Sequence, residues 1–204
     1  MQSACCDWKS GRPCADVFQQ RVSFMSVPYE IIECERCGYA ASTLVTAGKF
    51  VWSDGGEEYW FNRELAICND CECVVAMEKF PDPTVLADAR KRLGSFWRKL
   101  TKKFGDDDAG MMARSKGLSV AEKVLALRRK PVCLSCGSPN VVPLPRLDDG
   151  GSANTHVRSL GIAHPGCGGT LTIHGSGGDR VAPMEVTRIY NIQGKKTGER
   201  PGWR

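Results

Sequence analysis

Apolar and polar positions alternate most regularly in "KFVWSDGGEEYWF", residues 49 to 61, where two aromatic runs flank Asp54-Gly55-Gly56. A period of two puts every second side chain on one face, and an Asp-Gly-Gly centre supplies the positive φ of a tight turn. The pattern predicts a hairpin in which most of Phe50, Trp52, Tyr59, Trp60 and Phe61 build a core; stacking on nucleobases is the competing use of the same rings. Two further strands are predicted at "TLTIHG" and "MEVTRIYNIQG", flanking the loop "SGGDRVAP".

The period changes after residue 82. Asp82 before Pro83 is a helix-opening signal, an N-cap followed by a residue whose missing N–H costs nothing in the first turn. Leu86, Leu93, Phe96, Trp97, Leu100 and Phe104 then fall on one face at helical spacing, while Arg90, Lys91, Arg92, Arg98, Lys99, Lys102 and Lys103 occupy the remainder. This is a basic amphipathic helix. Beyond "GDDDAG", Ser119 and Glu122 form a capping box for a second, short helix ending in Arg128, Arg129 and Lys130. Short strands on both sides of a helical segment place the chain in the α+β class.

The cysteines change the picture. Six of the eleven fall in C-x2-C pairs, Cys34/Cys37, Cys68/Cys71 and Cys133/Cys136, a spacing that metal knuckles require and disulfide scaffolds have no reason to repeat. A fourth half-knuckle, "HPGCGG", carries His164 where a first cysteine would stand, separated from Cys167 by two residues. Thirty residues separate the first two pairs and twenty-seven separate Cys136 from His164, so the chain reads as one grammar used twice. On that reading Cys34, Cys37, Cys68 and Cys71 form one site, and Cys133, Cys136, His164 and Cys167 form another. Cys73 offers a competing sulfur beside Cys71. His156 and His174 lack a knuckle partner, and His174 reads as a strand-end residue.

"CERCGY", "CLSCGS" and "HPGCGG" each place a glycine after the last ligand, and in this the sequence resembles the zinc-ribbon superfamily over about residues 28 to 82 and 131 to 193. The glycine permits the positive φ with which the turn aims N–H groups at sulfur. "CNDCEC" departs from the pattern, with Glu72 in place of the glycine. The resemblance implies a scaffold and a metal rather than a function. Four sulfurs, or three sulfurs and a ring nitrogen, suit zinc in closed tetrahedral sites with no position left for a reacting water. Two Zn2+ ions are therefore expected.

Domain boundaries follow: a poorly ordered leader over 1–27, an acidic ribbon over 28–82, a basic helical linker over 83–130, a second ribbon over 131–193, and a flexible tail over 194–204. The leader holds Cys5, Cys6 and Cys14, and Met25 offers a second possible start. Arg146 to Gly161 is a long inter-knuckle loop. The leader has no apolar run of signal-peptide length and no segment reaches the ~18 to 20 apolar residues of a membrane helix, which points to a reducing cytoplasm.

Charge is divided unevenly. Net charge is +1 over 1–27, −7 over 28–82, +8 over 83–130 and +3 over 131–204. Bound thiolates make the first ribbon more negative still, which leaves the helices as the surface suited to phosphates. The same basic segment could instead fold back and neutralise the acidic ribbon, or serve a protein partner or membrane surface. The resulting expectation is a non-enzymatic zinc protein that binds nucleic acid or a nucleoprotein through Arg90 to Lys103 and Arg128 to Lys130. A protein–protein adaptor using the acidic ribbon and its aromatic hairpin is the alternative. An enzyme is the least favoured class: the sequence has no phosphate loop, nucleophile elbow or open metal site, and Cys73 is the one nearby group able to support thiol chemistry.

Overall fold

The computed structural model describes residues 27–104, 109–145, 157–181 and 186–201. Six strands come first: β1 (Val27–Cys34), β2 (Ala40–Ser42), β3 (Lys49–Asp54), β4 (Glu57–Trp60), β5 (Asn62–Cys68) and β6 (Cys73–Lys79). Helices α1 (Pro83–Phe104) and α2 (Ala109–Ala126) follow, and then β7 (Val141–Pro143), β8 (Arg158–Ala163), β9 (Thr170–Val181), β10 (Val186–Tyr190) and β11 (Lys196–Pro201). The class is α+β, built from small sheets.

Their pairing corrects the sequential arrangement of ribbons. The sheets run β2-β1-β9-β8, β11-β10-β3-β4 and β6-β5-β7, so each joins strands from before and after the helices. β1 lies antiparallel to β9, β3 parallel to β10, and β5 antiparallel to β7. The physical reason is burial: a two-stranded hairpin alone is marginal in water, and each half of the chain reaches three or four strands only by borrowing from the other.

The expected hairpin forms as β3 and β4, with Gly55 (φ 59) and Gly56 (φ 84) at its tip and Asp54 opposite Glu57. Phe50, Trp52 and Phe61 are buried with Tyr190, Tyr59 packs against them, and the Trp52 and Phe61 rings stack at 4.2 Å. Trp60 remains 56% exposed.

Asp82 caps α1 as expected, its Oδ1 accepting from the Thr84 N–H at 2.7 Å. The second helix departs from expectation, beginning at Ala109, ten residues before the capping box. Ser119 is thus mid-helix, and its hydroxyl donates back to the Ser115 carbonyl. Packing overrides the local cap: Val120, Ala121 and Val124 bury against the aromatic core. Gly117 allows the approach, since a Cβ there would lie 2.6 Å from the Glu58 carbonyl oxygen of β4.

Within the segment expected as a flexible tail, Lys196–Pro201 forms β11 on the edge of β10. Arg200 holds it with two contacts to Glu58, at 2.8 and 2.6 Å. Cys5, Cys6, Cys14, Met25 and His156 lie outside the described residues, as do most of the loop after Arg146 and the chain's last three residues.

Candidate metal centres

Each of the four knuckles is a turn closed by its own backbone. The N–H of the first ligand donates to the carbonyl five residues on, from Cys34 to Tyr39 (2.9 Å), Cys133 to Ser138 (2.8 Å) and His164 to Gly169 (2.7 Å). The fourth places Cys68 opposite Cys73 in the β5–β6 register, the same five-residue step. The residue after the second ligand has positive φ in every case: Gly38 at 69°, Glu72 at 52°, Gly137 at 80° and Gly168 at 71°. Three knuckles use glycine there. Glu72 takes the same conformation with a Cβ, which costs a non-glycine residue roughly 1–2 kcal/mol.

Strand pairing then decides which knuckles meet. β1 ends at Cys34, β9 begins just after Cys167, and their antiparallel register sets Cys34 against Leu171. β5 ends at Cys68 and pairs with β7 so that Cys68 faces Val141, while Cys133 bridges Met77 on β6. Cys34, Cys37, His164 and Cys167 come together in a mixed cluster; Cys68, Cys71, Cys133 and Cys136 come together in an all-sulfur cluster. The eight residues are those expected from spacing, but the pairing is not. The outer knuckles meet each other and the inner two meet each other, because β1 and β5 take as neighbours strands from the far side of the helices. Cys71, and not Cys73, belongs to the group; Cys73 occupies the strand position that closes the knuckle.

Both groups could hold a metal ion. The candidate ligand atoms of each lie within 4.8 Å of one another. Sulfurs stand 3.7 Å apart for Cys68 and Cys136 and 4.0 Å apart for Cys71 and Cys133. A zinc tetrahedron with Zn–S near 2.3 Å has S···S edges of about 3.8 Å. In the mixed cluster the His164 Nδ1 lies 3.5 Å from the Cys37 sulfur and 3.4 Å from that of Cys167, against an N···S edge of about 3.6 Å. Such separations are far longer than the ~2.05 Å of a disulfide. N–H groups of Ser135 and Gly169 point at the sulfurs of Cys133 and Cys167, both at 3.4 Å.

Burial and neighbouring donors pull the thiol acidities in opposite directions across the clusters. Burial drives Cys71 strongly upward, reinforced by its sulfur neighbours, and drives Cys133 up to about 12 against the N–H groups of Cys136 and Ser135. Cys34 is buried too, yet N–H groups from Arg36 and Cys37 and thiols from Cys167 and Cys37 outweigh that burial and lower it to about 7. A divalent cation is what would let all the sulfurs of a cluster be thiolates together.

Around His164 the arrangement is more specific than spacing could reveal. Nε2 lies 3.0 Å from the Glu72 carbonyl oxygen, which can only accept, so Nε2 carries the proton and Nδ1 faces the sulfurs. Tyr39 stacks on the imidazole at 4.6 Å between centroids, and its hydroxyl accepts from the Val74 N–H at 2.6 Å. His174 sits on β9 with Nδ1 3.0 Å from the Gly175 carbonyl and 3.5 Å from Glu33 through Nε2, in neither cluster.

The basic residues divide into two kinds. Arg90 turns to α2, where it meets the Glu122 carboxylate and the hydroxyls of Ser115 and Ser119. Arg129 turns inward to Glu78, stacks its guanidinium over Phe80 and donates to the Ile192 carbonyl. Lys91, Arg92, Arg128 and Lys130 are exposed, with no ion pair among the described residues. Arg98, Lys99, Lys102 and Lys103 belong to α1, and their side chains lie outside the described residues.

No helix among the described residues is long and apolar enough to cross a membrane. Comparison of the chain with protein-family models, with curated proteins and with solved structures finds no match.

Proposed function

We propose that the protein is a non-catalytic recognition module in which two zinc ions staple the halves of the chain and display α1 as a basic surface for nucleic acid. The zinc assignment is supported by ligand number, ligand type and separations that fit closed tetrahedral sites. A closed site leaves no position for a substrate, so the metal acts through stability; structural zinc in small modules is worth roughly 10–16 kcal/mol. Here each ion would join knuckles far apart in sequence, Cys34 to Cys167 across 133 residues and Cys68 to Cys136 across 68. Loop-closure entropy grows only slowly with length, so such long closures are tolerable.

The observation that carries the nucleic-acid reading is the way the cations are spent. Three acids of the acidic segment are paired from α2 and the residues just after it, with Lys116 on Glu57, Lys123 on Asp54 and Arg129 on Glu78, while Glu58 takes Arg200 of β11 and Glu64 takes Lys79. Among the described side chains of α1, only Arg90 is drawn into such a pair, and it takes its acid from α2. Lys91 and Arg92 thus stay exposed, next to the sequence positions of Arg98, Lys99, Lys102 and Lys103.

The test is the salt dependence of binding to duplex and single-stranded nucleic acid. If about five of these six residues neutralise phosphates of a duplex, log affinity falls against log salt with a slope near about −4.5. Reversal of Arg98, Lys99, Lys102 and Lys103 to Glu abolishes binding and leaves zinc content at two. Binding that is absent at about 50 mM salt, or unchanged by the reversal, contradicts the reading.

A further inference from the structure

The two clusters are joined by contacts that bypass the main strands. Glu72 directly follows Cys71 of the all-sulfur cluster, and its carbonyl receives the Nε2–H of His164 in the mixed cluster at 3.0 Å. Its orientation depends on the φ of 52° that the Cys68–Cys71 knuckle imposes on a residue poorly suited to it. Two residues on, the Val74 N–H donates to the hydroxyl of Tyr39, whose ring covers His164. The knuckles also touch: a Cβ on Gly166, between His164 and Cys167, would lie 2.9 Å from a Glu72 carboxylate oxygen and 3.3 Å from the His164 ring.

A histidine binds metal through one nitrogen only if the other is held in the matching protonation state and the ring is aimed. Outer partners that do this are commonly worth about 10- to 100-fold in metal affinity. In this protein the partner is not an independent side chain. It is a backbone carbonyl whose direction is set by a knuckle of the other cluster. Without metal in that knuckle, the β5–β6 hairpin backbone alone holds the φ of Glu72, and the acceptor of His164 and the anchorage of its stacking partner are less firmly placed.

Resting on the zinc reading above, we infer that the clusters load as a coupled pair, with Glu72 and Tyr39 as positioning residues: metal in the all-sulfur cluster raises the affinity of the mixed cluster by fixing His164 as an Nδ1 donor. By linkage, metal in the mixed cluster raises the affinity of the all-sulfur cluster by the same factor.

The experiment is a cobalt(II) titration of the full chain against a competing chelator. Absorption distinguishes three-sulfur, one-nitrogen coordination from four-sulfur coordination, and circular dichroism checks the fold. In Cys136→Ser, which disables the all-sulfur cluster, cobalt affinity at the mixed cluster falls about tenfold or more. Tyr39→Phe keeps all eight ligands and the ring stack but loses the Val74 contact; there the same affinity falls by a smaller factor. Nitrogen NMR of loaded wild-type protein shows His164 protonated at Nε2, with slow proton exchange that quickens in both variants. Unchanged mixed-cluster affinity in Cys136→Ser overturns the coupling and leaves the zinc reading standing; should that variant not fold, unchanged affinity in Tyr39→Phe does the same. Coordination through Nε2 also overturns it. A wild-type chain that takes up no cobalt in either cluster removes the zinc reading and the coupling with it.

Discussion

Arg129 clasps Glu78 with both guanidinium arms, and Glu78 is a carboxylate with no solvent exposure. Burying a carboxylate is costly unless its oxygens are satisfied. Here they are: the Trp52 indole donates to Oε1 at 2.9 Å and the Val132 N–H to Oε2 at 3.2 Å, beside the two arms of Arg129. The node ties β3, β6, the end of α2 and the β10–β11 turn, where Gly194 fits because a Cβ would lie 2.6 Å from Val132 and 3.0 Å from the carboxylate.

Removing one partner strands the other. Arg129→Ala leaves a buried charge and lowers unfolding free energy by roughly 3–5 kcal/mol, read by urea denaturation of the zinc-loaded protein. The doubly substituted Glu78→Leu, Arg129→Met chain recovers much of the loss, since no unpaired charge remains. A cost below about 1 kcal/mol for Arg129→Ala would mean that the pair is exchanged for water in solution.

Backbone conformation predicts opposite signs at equivalent knuckle positions. Gly137 has φ 80 and open space around an added Cβ, so Gly137→Ala costs about 1–2 kcal/mol for purely conformational reasons. Glu72 holds the same place with a side chain at φ 52, so Glu72→Gly raises stability by up to about 1 kcal/mol while leaving its carbonyl in place. Thermal denaturation of the two variants checks both signs; the same sign for both would show that the knuckles are not equivalent.

At His164, ligand chemistry and packing can be separated. His164→Cys supplies a thiolate at a comparable distance and retains two zinc ions per chain. His164→Ala removes a ligand, lowers zinc content to one, and weakens hydrogen-exchange protection of the β1–β9 pairing that the mixed cluster closes. Elemental analysis and exchange mass spectrometry read the two effects. Two zinc ions in the alanine variant would make His164 a bystander.

Much of the local structure was legible in the sequence, because it follows from short-range rules. The Asp54-Gly55-Gly56 turn, the Asp82 cap and the eight knuckle residues each depend on neighbours within a few positions. What could not be read depends on partners far along the chain. Similar spacing between knuckles, thirty and twenty-seven residues, suggested adjacent pairing, yet nothing local records that β1 prefers β9 or β5 prefers β7. The start of α2 was missed because Val120 and Val124 are committed to an aromatic core supplied largely by other segments, which outweighs the cap at Ser119. Arg129 was read as a phosphate contact because an inward arginine and an outward one look alike in sequence; the signal would have been an acid at Glu78 inside the apolar run "CVVAMEKF". The link from His164 to Glu72 had no signal at all, since its acceptor is a backbone oxygen.

The central claim is that two metal ions each join knuckles from opposite sides of the helices. Cadmium-113 NMR of the cadmium-substituted protein tests it most directly, because scalar coupling between the metal and cysteine β-protons identifies the ligands of each ion. Two cadmium resonances are expected, one coupled to Cys34, Cys37 and Cys167 and the other to Cys68, Cys71, Cys133 and Cys136. A resonance coupled to Cys34 and Cys37 together with Cys68 and Cys71 would contradict it.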